Sequence, residues 1–471
     1  MIIGRKYEQT VLDDCLKSSK SEFIVVYGRR RVGKTHLIKE FFENRFSFYA
    51  TGISEVNLSE ELDYFNDSLI EYGCTDHKKT NNWREAFIKL KKLLMSNSVT
   101  RDPVSNKRIV FLDELPWMDT PKSNFKSALD HFWNSWASTE KDIVMIVCGS
   151  ATSWIINNIL SGKGGFYNRI TRQIHLKPFT LGECEKFFEM NDIHMTRTDI
   201  INSYMVFGGI PYYLGLFSRR LSLAQNIDEL IFSEVGQLHY EYDRLFKSLF
   251  RNSSKHYLIM KALTTNRGGL SRKDVISKTK IADGELLTRA LEELEQCGFI
   301  RKYKNYTKET KGSYYQIIDP FTLFCNTFND KNVSSWMKYI RTPDYNNWSG
   351  YAFELVSLNH VQQIKETLGI SGIETTEYSW KSKNSTPGAQ IDLLIDRADN
   401  VINICEIKHT ESEYSIDLKY SESLKNKIDV FQKETNCKKA LHLVMVCSNH
   451  LKYNKYSSVV VNDICGDDLF K

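Results

Sequence analysis

This sequence of 471 residues predicts an α/β protein built on a parallel sheet, and three observations carry that expectation. Apolar runs of strand length alternate with helical stretches from residue 23 onward, which implies crossover connections and parallel strands. Two of these runs end in residues suited to phosphate and metal chemistry, not in ordinary turns. A second strand-and-helix pattern starts near residue 345, so one core is not expected to hold the whole chain.

The first run, Phe23-Ile24-Val25-Val26-Tyr27, leads into Gly28-Arg29-Arg30-Arg31-Val32-Gly33-Lys34-Thr35 and then a helical stretch from His36. Strand, glycine loop and helix in that order form a phosphate-binding loop. Gly28 and Gly33 let the backbone curl its N–H groups toward an anion, and the helix N-terminus adds partial positive charge. Lys34 is expected to reach the β- and γ-phosphates, and Thr35 to place its hydroxyl on Mg²⁺. ATP with Mg²⁺ is the expected cofactor. Arg29, Arg30 and Arg31, with Val32, make the loop tip. The arginines either neutralise phosphates, meet a neighbouring subunit, or stay solvated.

The next run, 108–114, is an apolar strand ending in Asp113-Glu114. Asp113 is the expected Mg²⁺ ligand and Glu114 the residue that polarises the attacking water. The alternative is that the pair only caps the helix after Leu115-Pro116. A third run, 142–148, ends at Gly149-Ser150-Ala151-Thr152. Ser150 is placed to sense the γ-phosphate between the first two motifs, or it is a turn former.

Residues 180–250 pattern as amphipathic helices around Gly208-Gly209-Ile210-Pro211, as in a lid bundle. Three short helices then lead to Gly298 and a strand hairpin, the order of a winged helix. Its third helix carries Glu285, Glu292, Glu293 and Glu295 against Arg289, which disfavours insertion into a DNA groove. The hairpin holds Arg301, Lys302, Lys304, Lys308 and Lys311, so a backbone contact through the wing stays open. A packing or subunit-contact module is favoured over sequence-specific reading.

Beyond residue 345 a helix is expected over about 348–368, with Glu354 among apolar neighbours. The run 389–395 is a strand, Arg397-Ala398-Asp399-Asn400 a turn, and 401–408 a second strand. Strand alternation puts Glu406 and Lys408 on one face, and the hairpin brings Asp392 toward them. Two carboxylates and an ammonium side by side call for a divalent metal or phosphate. The plain alternative is an exposed strand ion pair.

Four strings give the chain a resemblance to the archaeal-type ATPases of the STAND/AAA+ class, over roughly residues 1–340. They are Ile3-Gly4-Arg5-Lys6-Tyr7-Glu8, the loop from Tyr27 to Thr35, Leu112-Asp113-Glu114, and Gly208-Gly209-Ile210-Pro211-Tyr212-Tyr213-Leu214. The resemblance implies that Arg5 lies near the adenine and that Pro211 belongs to a helical lid. It also implies that Arg169, in Tyr167-Asn168-Arg169, serves as an arginine sensor or finger, against a surface salt bridge. Lys6 departs from the acidic residue that often follows the arginine.

The set Glu354, Asp392, Glu406-x-Lys408 resembles the core of PD-(D/E)XK, restriction-endonuclease-like nucleases. That implies Asp392 and Glu406 on Mg²⁺, Lys408 positioning water or stabilising charge, and Glu354 supporting the metal. Ile391 stands where the motif's proline would be, and Pro387 is not an equivalent. Together these readings give four expected parts: a P-loop ATPase core (1–178), a helical lid (179–252), a winged helix (253–342) and a nuclease-like α/β domain (343–471).

Net charge is +5, divided unevenly. Residues 345–471 hold 14 Lys+Arg against 17 Asp+Glu, leaving +8 on the first 344. Any grip on a polyanion is therefore expected outside the last part. Ten scattered cysteines without a CxxC pair, and eleven histidines without ligand spacing, indicate neither a disulfide framework nor a zinc site. No signal peptide or membrane span is visible, so a reducing cytoplasm is expected. The expected partners are nucleic acid, DNA before RNA, and a second copy or another protein. The expected function is an ATPase that gates a metal-dependent nuclease. The alternatives are a nucleotide-driven signalling or assembly switch whose last domain only binds, and a DNA-binding regulator acting through the winged helix.

Overall fold

The computed structural model describes residues 1–161, 166, 168–250, 253–306, 313–329, 335–382 and 388–471. Tyr167, Lys308, Lys311 and Pro387 lie outside the described residues. The chain divides into two units, Met1–Lys177 and Pro178–Lys471.

The first unit holds strands β1 (Glu22–Tyr27), β2 (Phe48–Thr51), β3 (Arg108–Asp113), β4 (Ile143–Gly149) and β5 (Arg172–His175). They form one parallel sheet in the order β2-β3-β4-β1-β5. Strands β3 and β4 are buried along their whole length, which is why their sequences are unbroken apolar runs. On one face Phe23, Val25, Val110, Leu112, Met145 and Val147 pack with Leu62, Phe65, Trp83 and Phe87 from the helices Leu58–Glu71 and Trp83–Leu94. The first of those helices starts on a reciprocal cap between Asn57 and Glu60. Because β4 lies between β1 and β3, the ends of all three strands meet along one edge of the sheet.

The second unit begins with two capped helices, Leu181–Met190 and Arg197–Phe207. Gly208 and Gly209 follow with φ of +68° and +65°. A Cβ on Gly209 would strike the Phe179 carbonyl, so the turn requires glycine. Pro211 then opens the helix Pro211–Leu214. Helices Ser254–Thr264, Arg272–Thr279 and Glu285–Gln296 precede an antiparallel sheet of β6 (Leu270–Ser271), β7 (Ile300–Lys304) and β8 (Ser313–Ile317), in the order β6-β8-β7.

The remainder is a second α/β layer. Strands β9 (Thr375–Lys381), β10 (Gln390–Arg397), β11 (Val401–Lys408), β13 (Ala440–Cys447) and β15 (Asn462–Ile464) lie in the order β15-β13-β11-β10-β9. The β9-β10-β11 part is antiparallel, and β11, β13 and β15 are parallel, with helix Leu418–Thr435 between β11 and β13. A small pair, β12 (Tyr414–Ser415) and β14 (Leu451–Lys452), lies apart.

The helix expected over 348–368 is two helices, Pro343–Asn359 and Val361–Thr367. The break is at His360 (φ −117°, ψ 28°). That ring is fully buried, its Nδ1 2.7 Å from the Val356 carbonyl while its Nε2 accepts the Leu181 amide at 2.9 Å. A buried ring serving both contacts outweighs continuation of the helix. No helix among the described residues is long and apolar enough to cross a membrane.

Candidate functional site

Two clusters of polar residues are built by these elements, one in each unit. In the first, the loop 28–35 joins β1 to helix Lys34–Phe41, whose N-cap Gly33 has φ +89°. Gly28 has φ +144°, and a Cβ there would strike the Leu176 carbonyl. Lys34 is buried, and its ammonium donates to the carbonyls of Gly28 and Arg29 at 3.0 Å each. Thr35 donates its hydroxyl to Asp113 Oδ2 at 2.8 Å. Arg29 is buried rather than solvated, at 5% exposure, and Arg30 and Arg31 are half-buried. Arg5, buried at a left-handed helix start, directs Nη2 to the Val32 carbonyl at 3.4 Å.

Asp113 ends β3 and is buried, while Glu114 turns the chain at φ 46°. Ser150, just past β4, donates its hydroxyl to the Glu114 carboxylate at 2.7 Å, and its amide donates to the same group at 3.2 Å. The structure thus brings Lys34, Thr35, Asp113, Glu114 and Ser150 to one edge of the sheet. Arg169 is exposed and makes no ion pair among the described residues. Pro211 belongs to the second unit.

The second cluster assembles around β10 and β11. Glu354 is buried on helix Pro343–Asn359 and accepts from Gln316 Nε2 at 3.2 Å. Burial, followed by repulsion from Asp392, holds its carboxyl well above the usual range. Burial also raises Asp392, and Glu406 adds to this, although Asp392 Oδ1 accepts Gln390 Nε2 at 2.7 Å. Glu406 behaves oppositely: the Lys427 and Lys408 charges outweigh its burial and lower it. Lys408 Nζ lies 3.2 Å from Glu406 Oε1 and Lys427 Nζ 2.5 Å from Oε2. Glu406 is only 7% exposed, so this is not an exposed strand pair. Among the described residues, one set of three His, Cys, Asp or Glu ligand atoms lies within 4.8 Å of one another: His450, Cys465 and Asp467. Glu354, Asp392 and Glu406 do not form such a set.

Residues 3–217 match a family described as an ATPase domain predominantly from Archaea. This segment is similar to archaeal-type ATPase domains. The chain is also 28% identical over 367 residues to the uncharacterized protein MJECL04 of Methanocaldococcus jannaschii, a match covering 76% of each. It is 49% identical over 45 residues to the uncharacterized ATP-binding protein MJ0423 of the same organism, covering 10% of this chain and 76% of that one. Among solved structures it is similar in fold to the Walker-type ATPase PABY2304 of Pyrococcus abyssi. The TM-score is 0.50 at 18% identity, covering 69% of this chain and 96% of the other.

Sequence reasoning missed several residues around both clusters. In the ATPase domain the Cys148 thiol donates to Asp113 Oδ1, and burial raises that thiol well above its ordinary value. Thr152 donates to the Gly28 carbonyl at 3.0 Å. In the second cluster Tyr420 donates to Glu406 at 2.5 Å, and Arg301 donates Nε to Gln316 at 2.8 Å. Arg301 was grouped with the wing cations. Pairing of Tyr303 with Tyr314, and of Arg301 with Gln316, puts these four side chains on one face, while Lys302 and Lys304 are exposed on the other.

Proposed function

We propose that ATP bound and hydrolysed by the first unit controls a phosphodiester-cleaving site made by Glu354, Asp392, Glu406 and Lys408. The observation that carries this reading is the convergence of buried Glu354, half-buried Asp392 and buried Glu406, from three elements, with Lys408 held beside Glu406. Burying such a group is costly unless a cation or phosphate compensates it. In this reading Lys34 and the loop Gly28–Thr35 hold the triphosphate, and Thr35 and Asp113 hold Mg²⁺. Glu114, oriented by Ser150, activates water; Arg5 lies at the nucleoside, and Arg169 serves as an arginine sensor or finger. Residues 179–252 act as a lid with Pro211, 253–342 as a winged helix, and 343–471 as the nuclease-like domain.

At the second site Asp392 and Glu406 would hold a divalent metal, which polarises the phosphate. Lys408 orients the water, and Glu354 supports the metal. Hydrolysis adds a water oxygen to phosphorus, breaks one P–O ester bond and returns a proton to the released alkoxide. The test is Mg²⁺- or Mn²⁺-dependent cleavage of plasmid, linear and single-stranded substrates, with and without ATP. Cleavage lost in Lys408→Ala and altered in Lys34→Ala is expected. ATP turnover without any cleavage would refute the nuclease half.

One observation favours a second reading, a nucleotide-driven switch whose last domain only binds. Lys427 already sits 2.5 Å from Glu406, where a metal would have to compete with it.

A further inference from the structure

A cavity of about 450 Å³ lies directly over Asp392, and its walls come from two different parts of the second unit. One wall is the β7–β8 hairpin with residues 266–278; the other is β9 and β10. The hairpin is tied down here. Arg301 Nη2 donates to Ser379 Oγ at 3.1 Å, and that hydroxyl donates onward to the Asp392 carbonyl at 2.6 Å. The Tyr306 amide donates to the Ser379 carbonyl at 3.0 Å. The hairpin face that carries Arg301 and Tyr303 is therefore turned toward Asp392, while Lys302 and Lys304 stay exposed on the other face.

We infer that this cavity admits one unpaired nucleotide at a time, so that the site takes single-stranded or frayed nucleic acid and not intact duplex. The inference rests on the nuclease-like reading of the cluster beneath it. Size is the first argument. A space of about 450 Å³ can enclose a single nucleotide but not a base-paired duplex. It does match the volume range of pockets that enclose small ligands.

Chemistry is the second argument. Tyr303 and Tyr314 both line the cavity as a stacked pair, with ring centroids 5.8 Å apart and 22° between planes. Such a pair is a platform for a base of any identity. Arg267, Lys278 and Lys381 are exposed around the same space, where they can follow phosphates. The acid on that rim, Asp274, is committed to capping its own helix through Ser271.

The test reads binding separately from cleavage. A fluorescein-labelled single-stranded 12-mer is titrated into the full chain with Ca²⁺ in place of Mg²⁺, and anisotropy is followed. Tyr314→Leu is expected to weaken binding about tenfold, the loss of one stacking contact. The surface pair Lys278→Glu with Lys381→Glu is expected to weaken it at least as much and to flatten the salt dependence. A blunt duplex of the same sequence is expected to compete at least tenfold less well. Thermal unfolding of each variant confirms that the fold is intact. Equal competition by duplex, absence of binding, or variants that bind like wild type would overturn the inference. Binding that depends on Tyr314 and Lys381 without cleavage in Mg²⁺ supports the pocket and removes the nuclease reading. Duplex cut as fast as single strands does the reverse.

Discussion

The hydroxyl of Thr35 and the carboxylate of Asp113 are 2.8 Å apart, which joins the first turn of a helix to the end of β3 across the sheet edge. The two residues are 78 positions apart in sequence, so the contact exists only because β4 spaces β1 and β3 correctly. A hydroxyl and a carboxylate at this separation present two oxygens to a hard cation.

Asp113→Asn is therefore expected to lower ATP turnover by at least about a hundredfold, since it removes charge where phosphoryl transfer needs it. Thr35→Ala should act through the same cation, lowering turnover by roughly tenfold or more. Steady-state phosphate release across a Mg²⁺ titration checks both. Turnover that does not depend on Mg²⁺ in wild type would refute the assignment.

Ser150 touches Glu114 through both its hydroxyl and its amide, so Ser150→Ala keeps one of two contacts. Nucleotide affinity should stay within about twofold, while turnover falls by roughly tenfold. With Glu114→Gln the losses should not add, because both substitutions act on one group. Full additivity in the double variant would separate Ser150 from Glu114.

The ATPase edge was largely legible in sequence because each of its parts is a local string. The Gly28–Thr35 loop, the Asp113-Glu114 strand end and Ser150 each follow an apolar run, and parallel topology then aligns the run ends. The second cluster was legible only in its strand residues. Lys427 and Tyr420 reach Glu406 from a separate helix 21 and 14 positions away, with no string to mark them. Arg301 was legible as a cation but not in its direction, because which face of a hairpin is covered is decided by what packs on it. The break at His360 depends on an amide 179 positions distant, beyond the reach of any helical period.

Glu61 offers a test of burial energetics in the first unit. It is 1% exposed, its carboxylate accepts the Ile53 amide at 3.1 Å, and burial raises its pKa from 4.5 to about 7. Below pH 4.5 both folded and unfolded states carry the proton, and no penalty arises. As pH climbs toward 7 the unfolded chain ionises first, and up to about 3 kcal/mol of stability is lost. Glu61→Gln keeps an acceptor for Ile53 and has no charge to bury. It should be more stable than wild type by about that amount above pH 7, with the gap closing below pH 4.5. Unfolding midpoints of both proteins, compared at matched pH, would show a constant gap if burial of Glu61 were not the cause.

In the nuclease-like reading a divalent metal would compete with Lys427 for Glu406, and this separates the two functional readings. If Asp392 and Glu406 hold a metal, Mn²⁺ should raise the unfolding midpoint, the added stability being about 2.7 kcal/mol at a hundred times its dissociation constant. Asp392→Asn should abolish that gain. Lys427→Met should cost several kcal/mol without metal, because it leaves buried Glu406 with Lys408 as its one paired cation and only Tyr420 as a further donor. The same variant should respond more steeply to Mn²⁺ than wild type, since the metal then replaces the missing ammonium. A midpoint indifferent to Mn²⁺ in both proteins would mean that Lys427 is the permanent partner of Glu406, and the last domain would then be a binding module.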